Sequence, residues 1–118
     1  MNEYQENLKI KMDEYARLVY KFTKNFPKEE LYGITSQIRR SGLSIILNYI
    51  EGYARQKSLV RLNFLEIAYG SLKELKYLLY FAKREGYLIQ NDYHKLLQLA
   101  EEIGAMLWKE IANLRQKI

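Results

Sequence analysis

The stretch SQIRRSGLSIILNYIEGYARQKS, Ser36 to Ser58, decides the reading of this chain. It has the length of a helix, yet its middle is apolar on more than one side. It also carries Arg39, Arg40, Arg55 and Lys57 against a single acid, Glu51. Placed on a helical wheel with the residues just before it, the stretch divides into three faces. Leu31, Ile34, Ile38, Gly42, Ile45 and Tyr49 form a core stripe. Leu43, Ile46, Leu47, Ile50 and Ala54 form a second apolar surface. Gln37, Arg40, Ser44, Asn48, Glu51 and Arg55 form a polar line. One amphipathic face is enough for an isolated bundle, so the second apolar face predicts a contact with another copy of the chain.

The flanking sequence supplies the partners of this helix. Leu8, Met12, Tyr15, Val19 and Phe22 step by four and three, predicting a first helix from about Tyr4 to Lys24 that stops before Phe26-Pro27. Pro27 suits the first turn of the second helix, which is expected to reach Glu51, with Gly52 as the left-handed residue that ends it. Ser58 is the expected cap of a third helix carrying Phe64, Ile67, Ala68, Ser71, Leu72, Leu75, Leu78, Leu79 and Ala82 inward and closing at Gly86. Leu62, Tyr69, Tyr77, Tyr80 and Phe81 lie opposite that stripe. They read either as the amphipathic rim of a wide core or as a second oligomer surface, and assembly is favoured. Asn91 or Asp92 caps a last helix whose stripe is Leu96, Leu97, Ala100, Ile103, Leu107, Ile111 and Leu114. Long helices joined by short connections pack antiparallel, so the fold class is all-α, an up-down-up-down four-helix bundle in a single domain spanning residues 1–118.

Composition narrows the function. The 118 residues include no Cys, 48% are hydrophobic and 28% charged, values ordinary for a globular domain and incompatible with a disulfide framework or a cysteine zinc site. The opening segment has no apolar signal-peptide core and the longest greasy runs are too short to span a bilayer, so a cytoplasmic protein without membrane contact is expected. The net charge is +5, and the window Leu31–Leu65 alone holds five basic residues and one acid. His94 is the only histidine, with Asn91 three residues before it, so no Glu-x-x-His metal pair exists. The six glycines are too dispersed for a phosphate loop or dinucleotide fingerprint. No catalytic residue, cofactor or metal site is predicted.

FPKEELYGITSQIRRSGLSIILNYIEGYAR (Phe26–Arg55), followed by FLEIAYGSLKELKYLL (Phe64–Leu79), resembles the four-helix-bundle family that includes proteins encoded in intervening sequences of bacterial 23S rRNA genes. The blocks that carry the likeness are Pro27-x-Glu29-Glu30, Gln37-x-Arg39-Arg40, Ser44-Ile45, Asn48-x-x-Glu51-Gly52 and Ala68-x-Gly70-Ser71-x-x-Glu74-Leu75. The likeness runs from about Tyr15 to Leu114. Ile46 stands where that family often has Pro, which predicts a straighter and more apolar second helix here. The resemblance implies a ring-like homopentamer and no catalytic residues. It also implies a relation to the accessory variability determinant proteins of diversity-generating retroelements, which bind a reverse transcriptase and nucleic acid.

Together these readings predict a non-enzymatic, homo-oligomeric binding module that engages RNA, DNA or a nucleic-acid-handling protein; the alternative is a structural or protein-partner adaptor that never touches nucleic acid. Arg40, Arg55, Lys57 and Arg61 are the candidate nucleic-acid contacts, with Tyr53 as a candidate stacking residue. Gln37, Arg39, Asn48 and Glu51 are expected in polar helix or subunit contacts, Glu51 pairing with Arg55 or Arg40. Leu43, Ile46, Leu47, Ile50, Tyr69, Tyr77 and Tyr80 are the expected oligomer interface.

Overall fold

A computed structural model describes every residue from Met1 to Ile118. Four helices fold in sequence: α1 (Glu3–Phe22), α2 (Ile34–Tyr53), α3 (Ser58–Arg84) and α4 (Gln90–Gln116). Each packs against its neighbours in the order α1–α2–α3–α4–α1, and there is no strand. The up-down-up-down bundle measures 45 × 25 × 18 Å. No helix is long and apolar enough to cross a membrane.

The ends of the helices show how local chemistry sets the frame. Asn2 begins α1 with a capping box, its side chain accepting the Gln5 N–H at 2.8 Å while the Gln5 side chain accepts the Asn2 N–H at 3.0 Å. Gly86, at φ +81°, ends α3 in a Schellman arrangement, with Tyr87 N–H on the Ala82 carbonyl and Gly86 N–H on that of Lys83. Three expected boundaries move. The chain after Pro27 makes only a 3₁₀ turn, Lys28–Glu30, and α2 starts at Ile34, where the Glu30 carboxylate meets the Ile34 N–H. Lys57 and Ile89, not Ser58 and Asn91 or Asp92, occupy the cap positions of α3 and α4.

Gly52 is a further correction. It lies inside α2, buried, with no left-handed backbone. Its role is approach: a Cβ there would meet Phe64 Cβ at 3.2 Å and the Arg61 carbonyl at 3.3 Å. Missing side-chain bulk, not backbone freedom, lets α2 and α3 close on each other.

The core holds Leu8, Met12, Tyr15 and Val19 from α1 and Ile34, Ile38, Ile45 and Tyr49 from α2, as the periodicity predicts. On α3 the buried set is Leu65, Ala68, Leu72, Leu75, Leu79 and Ala82, a seven-residue repeat of alternating threes and fours. That narrow seam leaves no room for Ile67, which is 51% exposed, and Leu62 joins the core instead of the aromatic surface. Leu31, expected inside, precedes α2 and is exposed. α2 runs unbroken through Ile46, the position where a proline would have removed a backbone donor.

Candidate interaction surfaces

On the side of α2 turned away from the core, Leu43, Leu47 and Ile50 face solvent, Leu47 at 58% exposure, while Ile46 tucks against the core. On the adjoining surface of α1, Ile10 and Tyr20 are also exposed. Between the two helices lies a groove of about 520 Å³ walled by Ala16, Tyr20, Leu43 and Ile46 and edged by Arg17 and Lys21. The second apolar face foreseen in the sequence is therefore an uncovered stripe of the single subunit.

The polar line of α2 faces α3. Ser44 and Ser71 hydroxyls lie 2.8 Å apart, Asn48 Nδ2 donates to the Ser44 carbonyl at 2.8 Å and to its hydroxyl at 3.0 Å, and Ser41 donates to Glu74 at 3.3 Å. Ser41, Ser44, Ser71 and Glu74, with Gln37 and Arg40, line a cleft of about 370 Å³ that has no hydrophobic wall. Asn48 is thus a contact within α2, and Ser44 carries the link across to Ser71 of α3. Glu51 is held by Arg55 at 2.5 Å, so Arg40 does not take it, and Arg40 is left without a carboxylate partner. Arg39 turns the other way: its Nε donates to Thr23 Oγ1 at 2.9 Å and its guanidinium covers the Tyr20 ring at 4.8 Å, tying α2 to the end of α1.

The α2–α3 turn brings Arg55, Lys57 and Arg61 close in sequence but gives them different duties. Arg61 is a correction. Its Nε donates to the Gly52 carbonyl at 3.2 Å, its Nη2 to the Arg55 carbonyl at 2.7 Å, and its plane lies 4.7 Å from the Tyr53 ring. It adds a donor to one carbonyl in the last turn of α2 and to one in the connection that follows, so it closes the turn. Arg55 is exposed but shared between Glu51 and the Phe64 ring, 5.2 Å away. Lys57 is exposed and in no ion pair. Arg40 does not join this cluster, being about 22 Å away along α2 at 1.5 Å per residue.

The aromatic surface of α3 also divides. Tyr69 packs on Trp108 of α4 at 5.3 Å, with Lys73 over its ring, so it belongs to the subunit's own α3–α4 packing. Tyr80 accepts a hydrogen bond from Arg84 Nη1 at 3.0 Å. Tyr77, 62% exposed, stands beside Phe81 at 6.5 Å and faces outward with it.

One site escaped the sequence reading. At the end of the bundle where α1 begins and α4 ends, the phenols of Tyr49 and Tyr53 both donate to the Glu110 carboxylate, and Gln5 Nε2 donates to the Tyr53 oxygen at 3.2 Å. Tyr53, expected to stack on a base, is instead committed to this cluster. Burial first, and the adjacent Glu110 carboxylate second, push the pKa of both tyrosines well above the usual phenol range. The cluster borders a cavity of about 300 Å³. The i,i+4 pair Tyr49/Tyr53 was visible in the sequence; that Glu110, in a helix more than fifty residues later, would meet it was not. No three His, Asp or Glu side chains converge to hold a metal ion.

Residues 6–109 match the family described as 23S rRNA-intervening sequence protein. The fold is similar to a crystal structure described as a protein with unknown function from the S23 ribosomal protein family of Bacteroides thetaiotaomicron VPI-5482. That similarity has a TM-score of 0.84 at 27% sequence identity, covering 92% of this chain and 98% of the other. No functionally curated protein matches the chain.

Proposed function

Because the chain belongs to the 23S rRNA-intervening sequence protein family, we propose that it is a non-catalytic binding module that works as a homo-oligomer, a five-membered ring. The observation that carries this reading is the uncovered stripe Leu43, Leu47 and Ile50 on α2. Burying one such side chain is worth about 1.5–3 kcal/mol, so a stripe repeated around an assembly is a strong driving force. A second exposed apolar patch, Tyr77 and Phe81, lies on a different helix. Pairing one patch with the other is a head-to-tail contact, which closes into a ring when the rotation permits. Light scattering should return a mass near five times the 14.2 kDa chain. Leu47→Glu should dissociate the assembly while leaving the helical signal intact. A wild-type monomer at micromolar concentration overturns the proposal.

The ligand we assign to the module is nucleic acid, met by Lys57 and Arg55 at the α2–α3 turn and by Arg40, all exposed. Repetition of these cations around a ring multiplies the field that one subunit presents, and each phosphate neutralised releases counterions. Lys57→Gln with Arg55→Gln should weaken retention of structured RNA or duplex DNA and flatten the salt dependence of binding. If the wild-type protein binds neither at low salt, the module is a protein adaptor, and a reverse transcriptase becomes the partner to test.

A further inference from the structure

We propose that the cavity beneath the α1–α2 connection is a binding site for a phosphate group. This site lies at the opposite end of α2 from the Arg55–Lys57 turn and does not rest on the nucleic-acid reading. The cavity measures about 240 Å³, and Lys24, Lys28 and Arg39 contribute to its wall while no carboxylate does. Lys24 and Lys28 are exposed, and every ion pair of the subunit lies elsewhere. The Nε bond from Arg39 to Thr23, together with the Tyr20 ring beneath it, fixes the guanidinium and leaves its two Nη groups without a protein partner.

The deciding observation is Thr35. It lines the cavity, is only 2% exposed, and its hydroxyl has no hydrogen-bond partner. A buried hydroxyl without a partner costs free energy, and such groups in folded proteins ordinarily have one. The neighbouring acid, Glu30, does not supply it: its oxygens take the Tyr87 phenol at 3.1 Å and the Ile34 N–H. Because Glu30 already caps α2, the site is built from side chains and not from the helix end.

The chemistry selects the ligand class. Three cations exclude a metal ion or an ammonium group. The nearby rings are engaged, Phe26 by Tyr87 at 5.7 Å and Tyr20 by Arg39, so a stacked base has no platform. A tetrahedral oxyanion accepts donors from several directions at once, matching two flexible ammonium groups, a fixed guanidinium and one hydroxyl.

The test uses the full-length protein. Thermal unfolding and calorimetry with inorganic phosphate, compared with sodium chloride at equal ionic strength, should show saturable binding and a rise in midpoint. Lys24→Gln with Lys28→Gln should abolish both without loss of fold. Thr35→Val, which keeps the shape and removes the hydroxyl, should raise the midpoint in the absence of phosphate and weaken phosphate binding about tenfold. A single-stranded oligonucleotide with a 5′-phosphate, set against its 5′-hydroxyl twin, separates the sources. Preference for the phosphorylated strand supports the site as a reader of nucleic-acid ends, and equal binding supports a small phosphate ester or free phosphate. Absence of any response beyond the chloride control overturns the proposal. So does a response that survives the double lysine change, or one that Thr35→Val leaves untouched.

Discussion

The two ends of the bundle make an instructive pair. Each has a cavity, about 300 Å³ where α1 begins and about 240 Å³ under the α1–α2 connection, and each cavity is rimmed by three cations. At the first end Arg61 is bonded to two carbonyls, Lys109 lies 5.9 Å from the Tyr4 ring, and the acid Glu110 is saturated by two phenols. At the second end the lysines have no acid, and a buried hydroxyl has no partner. Equal counts of cations thus conceal different states: one end ties Arg61 and its acid to its own groups, and the other leaves its lysines without an acid. A charge that caps a helix is unavailable to a ligand, however basic the segment looks in one dimension.

The largest expected effect falls on the first end. Removing the Glu110 carboxylate leaves the buried Tyr49 phenol without an acceptor, while Tyr53 keeps only the weaker contact from Gln5. Hydrogen bonds to a charged group are worth about 1.5–3 kcal/mol each, so Glu110→Ala should lower the unfolding free energy by about 3 kcal/mol. Adding Tyr49→Phe should cost much less in the Glu110→Ala background than in the wild type, which a denaturant-based double-mutant cycle measures. Additive losses would show that this end is not the closed network described.

The fold was legible because each helix carries its own periodic stripe, and Leu8 to Val19 on α1 needed nothing else. Placement of individual residues failed where the answer lay in a neighbouring helix. Gly52 looked like a stop signal because glycine often ends helices, yet the constraint on it comes from Phe64 and Arg61 across the α2–α3 contact. Ile67 looked inward on a broad 3.6-residue stripe, but packing between helices selected a strict seven-residue seam. The exposed stripe on α2 was legible, since a second apolar face is a property of one helix. The Tyr49–Tyr53–Glu110 cluster was not, since its acid comes from α4. The structural duty of Arg61 was not legible because local sequence records a charge but not the carbonyls it will meet.

A middle-sized effect separates a partnered hydroxyl from an unpartnered one. Tyr15 and Tyr49 are both fully buried, but only Tyr49 has an acceptor, and both have their pKa raised, chiefly by burial. The folded chain keeps protons that the unfolded chain releases above about pH 10, the ordinary phenol value. Their contribution is therefore intact below that pH and lost as the pH rises, at about 1.4 kcal/mol per pH unit for each tyrosine. Tyr15→Phe and Tyr49→Phe should each flatten this alkaline decline by one proton. At pH 7 they should part, Tyr15→Phe leaving stability unchanged or higher and Tyr49→Phe lowering it. Chemical denaturation across pH 7 to 11 checks both arms, and parallel behaviour at pH 7 would erase the distinction.

The smallest effect is the one that most sharply separates structural from available charge. Arg61 and Lys57 are four residues apart, both basic, and both were candidates for the same binding surface. Arg61→Gln removes two hydrogen bonds to carbonyls of the α2 end and the plane stacked on Tyr53. Glutamine can recover at most part of this, so a loss of about 1 kcal/mol is expected, in line with the net value of such bonds. Lys57→Gln touches no internal partner and should change stability by less than about 0.5 kcal/mol. On nucleic-acid retention the order should reverse. Lys57→Gln removes a charge free to meet phosphate and should lower the salt slope by about one unit, whereas Arg61→Gln should leave the slope nearly unchanged. Equal stability losses would mean that the turn does not need Arg61. Equal changes in slope would mean that a guanidinium bonded to carbonyls still reaches the ligand, and the division between closed and open charge would have to be redrawn at this turn.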